Sequence, residues 1–181
     1  MCALKQGGHM GPPLPSRALI RPLRNDEVEL ALAIINEAAR AYQGVIPADC
    51  WCEPYMPDEE LRAEIAAGVN FWAYEANGAI LGVMGRQPLT EVTLIRHAYV
   101  SQAAQQQGIG AQLLGHLLLG VRAPVLVGTW AAAWWAIRFY EKHGFKLVTP
   151  AEKDRLLWRY WTISDRQVET SVVLTYQGIK D

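Results

Sequence analysis

Gln105-Gln106-Gln107-Gly108-Ile109-Gly110-Ala111-Gln112-Leu113-Leu114 is the stretch on which the reading of this chain turns. Residues 92–100 before it have strand character, and Leu113, Leu114, Leu117 and Leu118 after it recur at helical spacing. Two glycines therefore stand where a strand ends, the backbone turns and a helix begins. A helix start leaves its first N–H groups without partners, and their dipoles point at whatever lies in front. Such a turn suits an anion, above all a phosphate. Glycine lets the backbone approach that anion because no Cβ intrudes.

Two familiar phosphate turns do not fit. A P-loop ends in Gly-Lys-Ser/Thr, whereas Gly110 is followed by Ala111 and Gln112. A dinucleotide fingerprint needs a third glycine where Leu113 stands, in a strand-helix-strand unit near the chain start. Composition narrows the field further. The 181 residues suit one domain, and 51% apolar content supports a sizeable core. Lysine plus arginine (17) nearly balances aspartate plus glutamate (18), so the chain lacks the basic field of a nucleic-acid binder. No apolar run approaches a membrane span. The N-terminus lacks the basic-then-apolar order of a signal peptide. The three cysteines are too few for a disulfide framework and point to a reducing compartment, so a cytoplasmic protein is expected. Cys50-Trp51-Cys52 offers half a metal site, but no second Cys/His pair lies at a usual spacing, and no metal is expected.

Outward from the turn, the chain reads as one α/β unit. Residues 1–17, rich in glycine and proline, read as a disordered tail; Gly8-His9-Met10 resembles an expression-tag junction with a natural start at Met10. Residues 18–181 read as a single domain. Residues 18–23 form a first strand. A helix capped by Asn25 or Asp26 runs to about Tyr42. A loop, residues 43–57, carries Trp51 and Tyr55 and is framed by Tyr42. A second helix starts at Asp58 and ends before Gly68. Asn77-Gly78 joins strands 69–75 and 79–86 into a hairpin, with Gly82 and Gly85 marking bulges. After the glycine turn and its helix come a short buried strand, residues 125–130, a helix, residues 131–142, and a strand, residues 145–148. A charged helix, residues 151–160, and a last strand, residues 168–176, complete the chain. The order predicts a mixed, mostly antiparallel sheet flanked by helices, with one parallel crossover after the glycine turn.

At this point a family resemblance becomes visible. Gln105-x-x-Gly108-x-Gly110 resembles the pyrophosphate-binding turn of the GNAT superfamily of N-acetyltransferases, whose pattern is Gln/Arg-x-x-Gly-x-Gly/Ala. Ala98-Tyr99-Val100 resembles that family's central strand, and residues 136–145 its second signature helix. The resemblance covers residues 18–176. It implies acetyl-CoA as co-substrate, held in a V-shaped gap where two central parallel strands, residues 92–100 and 125–130, splay apart. Backbone groups of Ala98, Tyr99 and Val100 are implied to hold the acetyl carbonyl and the pantetheine arm. The turn Gln105, Gln106, Gln107, Gly108, Ile109, Gly110, Ala111 is implied to cradle the pyrophosphate, with Trp130 and Ala133 on the second strand's side.

Tyr140 falls where the family places a tyrosine near the CoA sulfur. When an amine attacks a thioester, a thiolate leaves, and a phenol can protonate it. From periodicity alone Tyr140 is a core aromatic. Many relatives carry a strand glutamate as base; this chain has His97 in that region, and imidazoles ordinarily titrate near ~6.5. His97 shares a strand face with Ile95 and Tyr99 on simple alternation, where a packed histidine is an equal reading. Ala133 replaces an asparagine that in many relatives contacts CoA. The acceptor site is implied to lie between residues 42–55 and 158–170, both aromatic-rich. A small amine is expected there, since a polycation calls for more acids. The expected function is acetyl transfer to the primary amine of a small molecule, by direct attack in a ternary complex. The alternatives are a protein or peptide N-acetyltransferase and a non-catalytic acyl-CoA sensor. Dimers are frequent in the superfamily, so a homodimer is one expected assembly.

Overall fold

The computed structural model describes residues 18–177; the tail reading at residues 1–17 lies outside them. Seven strands form one sheet in the order β1-β2-β3-β4-β5-β7-β6. They are β1 (Leu19–Pro22), β2 (Asn70–Ala76), β3 (Ala79–Pro88), β4 (Thr93–Val100), β5 (Val125–Trp130), β6 (Lys146–Leu147) and β7 (Ser171–Tyr176). Six helices flank it: α1 (Val28–Ala39), α2 (Asp58–Ala66), α3 (Ile109–Leu118), α4 (Trp134–Lys142), α5 (Pro150–Tyr160) and α6 (Asp165–Glu169). Every strand pair is antiparallel except β4 with β5. The mixed, mostly antiparallel sheet that the sequence predicts is therefore the one observed.

The two faces carry different helices. Ile109, Leu113, Leu114 and Leu117 of α3 and Tyr140 of α4 pack on Ile95, Val127 and Leu174. Each such fully buried aliphatic side chain contributes roughly 1.5–3 kcal/mol relative to exposure. On the other face, α1 and α2 cover Phe71 and Val83 with Ile34, Ile35 and Leu61. Beside them, α5 and α6 cover Leu94, Leu126 and Val173 with Leu156, Leu157 and Val168. A third group of aromatics lies between these two helix pairs.

Turn chemistry fixes the connections. Asn77 and Gly78 take φ of 54° and 74°, as a tight hairpin requires. At the domain's edge Arg21 joins Glu27, at 2.7 Å, to Glu75, at 2.5 Å. The bond from Arg21, against burial, lowers the nearly inaccessible Glu27 carboxyl to about 2.

Four features differ from expectation. The first helix ends at Ala39, and residues 40–42 tighten into a 3-10 turn that redirects Tyr42. The last strand starts at Ser171, because residues 165–169 form α6. The Ser164–Gln167 capping box that starts α6 is legible in the sequence as Ser-x-x-Gln. Two helices, α5 and α6, consequently stand before β7 where the sequence predicts one.

The third difference is a bulge. Gly82 pairs with Val100 and Val83 with Tyr99, but Gly85 pairs with Arg96, so β4 carries one extra residue. His97 sits there with φ of 48°. The bulge breaks the alternation of faces: Ile95, Ala98 and Val100 pack toward α3, while Tyr99 packs toward α1. The expected common face for Ile95, His97 and Tyr99 is thereby corrected. Gly85 is part of the same device. A Cβ there would lie 2.7 Å from Val69 Cγ1 and 3.1 Å from the Arg96 carbonyl oxygen.

A fourth difference concerns the glycines themselves. Gly82 and Gly85 adjoin the register shifts rather than supplying the extra residue, and Gly82 lets Ile109 and the Tyr99 carbonyl approach.

Candidate functional site

β4 and β5 pair in parallel at Thr93–Val125, Leu94–Leu126 and Ile95–Val127. Beyond Ile95 and Val127 both strands continue without pairing to each other. The expected V-shaped gap is therefore present, with residues 96–100 on one side and 128–130 on the other. The bulge at His97 adjoins the point of separation and turns β4 away.

At the mouth of this gap lies the glycine turn. Gln106 and Gly108 both take positive φ, 63° and 77°. Gly108 is the N-cap of α3 and provides no side chain to cap it; the first helical bond runs from Gln112 N–H to Gly108 C=O at 3.0 Å. The N–H groups of Ile109, Gly110 and Ala111 therefore have no helical partner. Ile109 is buried in the core and anchors the turn. Gly110 faces Phe139 of α4: a Cβ would sit 3.5 Å from the ring, an ordinary contact, so alanine fits there and larger side chains crowd.

The glutamines do more local work than their place in the turn suggests. The Gln105 side-chain amide donates to the Val100 carbonyl at 3.2 Å, tying the turn to the end of β4. That of Gln107 donates to the Ala103 carbonyl at 3.3 Å. Ala133 is fully buried at the N-cap of α4, and its methyl offers no hydrogen bond where an asparagine could.

Tyr140 is 5% exposed, packed edge-on against Phe139 and Phe145 with ring centroids 5.1 and 5.4 Å away. Burial, and then the neighbouring Tyr42, push its phenol above the ordinary tyrosine value, so it remains protonated.

His97 takes a different place. Its ring stacks on Phe71 of β2 with centroids 5.8 Å apart, and its Nε2 meets Glu64 Oε2 of α2. Arg96 donates to the other oxygen of Glu64 at 2.5 Å. Burial works to raise the Glu64 carboxyl, but the hydrogen bond with His97 and the neighbouring Arg96 guanidinium outweigh it and hold it low. Glu64 escapes sequence reading because one glutamate on an acidic helix carries no distinguishing spacing.

The remaining wall is aromatic. Trp130 Nε1 donates to the Tyr55 hydroxyl at 2.8 Å. Tyr42 stacks on Trp135 at 5.9 Å and approaches Tyr55 at 5.5 Å. The Tyr42 ring also meets that of Tyr99 on β4 edge-on, with centroids 6.5 Å apart. Burial raises the phenols of Tyr42, Tyr55 and Tyr99. The loop bearing this wall is pinned by Asn36, which donates to the Met56 carbonyl at 2.9 Å and accepts from its N–H at 2.8 Å. Asp49 and Arg166 join it to α6 at 2.8 Å.

A separate groove of about 320 Å³ lies at the paired end of β4 and β5, lined by Val92, Leu126, Arg155 and Arg159. Its arginines are engaged by Glu152 and Glu91, and it is remote from the splay. Among the described residues no cluster of His, Cys, Asp and Glu could hold a metal ion, and no helix is long and apolar enough to cross a membrane.

Comparison with known proteins agrees with this geometry. A GNAT-family acetyltransferase from Staphylococcus aureus superposes with a TM-score of 0.68 at 15% identity, covering 91% of this chain and 100% of that one. The PaiA N-acetyltransferase of Thermoplasma acidophilum, solved with coenzyme A, gives 0.67 at 16% identity, covering 89% and 99%. The ribosomal-protein-S18-alanine N-acetyltransferase of Escherichia coli gives 0.63 at 16% identity, covering 91% and 96%. At such identities the likeness is one of fold. No curated protein sequence matches the chain significantly. The family model for the acetyltransferase (GNAT) domain matches residues 35–158, more than half of the chain. The chain belongs to the GNAT acetyltransferase family.

Proposed function

We propose that this protein is an acetyl-CoA-dependent N-acetyltransferase that acetylates the primary amine of a small molecule by direct attack within a ternary complex. The observation that carries the reading is the opening of β4 from β5 after Ile95 and Val127, with the uncapped N-terminus of α3 at its mouth. Residues there fit an acyl-CoA on local grounds. The strand edges offer unpaired backbone groups to a pantetheine arm, and three N–H groups beside Gly108 offer donors to a pyrophosphate. Bound acetyl-CoA supplies the acetyl group as a thioester.

The chain's own residues have distinct roles in this reading. The turn from Gln105 to Ala111 binds the donor, with Gln105 and Gln107 shaping the loop. Backbone groups of Ala98, Tyr99 and Val100 orient the acyl carbonyl, and Trp130 and Ala133 close the far side. Tyr140, kept protonated by burial, delivers its proton to the departing sulfur. His97, oriented by Glu64, is the proposed acceptor of the amine's proton, acting through water because its ring leans toward β2.

The test is release of free thiol from acetyl-CoA over a panel of amines and peptides, together with calorimetric CoA binding. Turnover with small primary amines is expected. Binding of CoA with no turnover on any amine or peptide would make the protein a binding module instead.

A further inference from the structure

Six aromatic side chains converge over the open end of the splay from five parts of the fold. Tyr42 follows α1, Trp51 and Tyr55 come from the loop, Tyr99 from β4, Trp130 from β5 and Trp135 from α4. Trp51 stacks on Tyr55 at 5.7 Å, and Tyr42 meets Tyr99 edge-on at 6.5 Å. The polar atoms they carry are phenolic hydroxyls and indole N–H groups, of which that of Trp130 donates to the Tyr55 hydroxyl. The loop's carboxylates, Asp49 and Glu53, are exposed, and Asp49 is held by Arg166.

We infer that this chamber is the acceptor site and that it selects an arylalkyl monoamine, recognised through the faces of these rings and the Tyr42 hydroxyl. The inference rests on the acetyltransferase reading and names its substrate class. Ring faces attract one ammonium by their quadrupoles, and phenolic oxygens accept its N–H bonds. A flat aromatic body stacks on Trp135 and Tyr55 with well-defined geometry. A second or third ammonium, as in a polyamine, would be desolvated there without a carboxylate to compensate it, which is unfavourable. Tyr42 is the specificity-determining residue, because its ring meets Tyr55 of the loop, Tyr99 of β4 and Trp135 of α4 at the place where the donor strands have parted.

The test measures binding of 2-phenylethylamine, hexylamine, spermidine and an alanine-terminated peptide to the CoA-loaded protein by calorimetry, and thiol release with each from acetyl-CoA. 2-Phenylethylamine is expected to bind roughly tenfold more tightly than spermidine or the peptide. Trp135→Ala should weaken it roughly fivefold or more, while affecting hexylamine less; Tyr42→Phe, which keeps the ring, should weaken both amines by a similar factor. Equal or tighter binding of spermidine or the peptide would overturn the inference, as would a Trp135→Ala effect that is the same for both monoamines. Selective binding without acetyl transfer would refute the acetyltransferase reading and leave the chamber's ligand class standing. Transfer without aromatic preference would do the reverse.

Discussion

Replacing Tyr140 by phenylalanine isolates one atom of the proposed chemistry. The ring is 5% exposed and held edge-on by Phe139 and Phe145 at 5.1 and 5.4 Å, and phenylalanine keeps both contacts. Only the hydroxyl goes. A typical hydrogen-bonding group contributes about 1 kcal/mol net, and 1 kcal/mol moves Tm by about 2–4 °C in a domain of this size. Thermal denaturation should therefore shift by no more than about 4 °C. The rate should respond far more. A positioned proton donor contributes 10² to 10⁴ in general, so kcat should fall at least ~tenfold, equivalent to about 1.4 kcal/mol in the barrier. Calorimetric CoA affinity should stay within about twofold, since the uncapped α3 turn is untouched. The pH dependence carries the same sign. Burial raises this phenol, so in the wild type the donor persists above the ordinary tyrosine value near 10, and no alkaline loss from Tyr140 should appear below it. An unchanged kcat in stopped-time thiol release with the Phe variant would remove Tyr140 from the mechanism.

Gly108→Val should raise the CoA dissociation constant at least ~tenfold, because φ of 77° is costly for a β-branched residue and the cradle must reshape; calorimetry reads it, and unchanged affinity would free the turn from the donor site. His97→Gln should depress kcat/KM at least ~tenfold while leaving CoA affinity unchanged; an unchanged kcat/KM would confine His97 to the packing of Glu64 and Phe71. Glu27→Gln should lower Tm by several degrees at neutral pH, since Arg21 loses its 2.7 Å partner. The Glu27 carboxyl is depressed from 4.5 to about 2, so its contribution is complete above about 4.5 and fades as pH falls toward 2. The Tm gap between variant and wild type should close across that window, and a gap constant with pH would contradict the linkage.

Local chemistry was the legible part of this chain. The hairpin at Asn77-Gly78 and the turn at Gly108 were readable because positive φ is a residue-level demand that glycine and asparagine meet. The α3 leucines, at helical spacing, all reach the core as their periodicity implies, with Leu118 at its margin. Residues 165–169 were missed because their single helical turn has little periodicity, although the Ser164–Gln167 box marks it. Glu64 was missed for a different reason: its meaning comes from Arg96 and His97, thirty-odd residues away.

The sequence by itself determined the donor side: strand, glycine turn and helix, with a second helix bearing Tyr140 downstream. Those features depend on neighbours within a few residues, so backbone preference and side-chain period suffice to specify them. The tertiary structure alone decided the aromatic wall beside the splay. One extra residue in β4, accommodated against Met84 of β3 and paid out as φ of 48° at His97, moves Tyr99 from the face of Ile95 to the face of Tyr42. A period of two cannot register such an insertion, because its energy lies in the partner strand's register and in the packing across the sheet. That one displaced residue brings the Tyr99 ring edge-on to that of Tyr42, with centroids 6.5 Å apart.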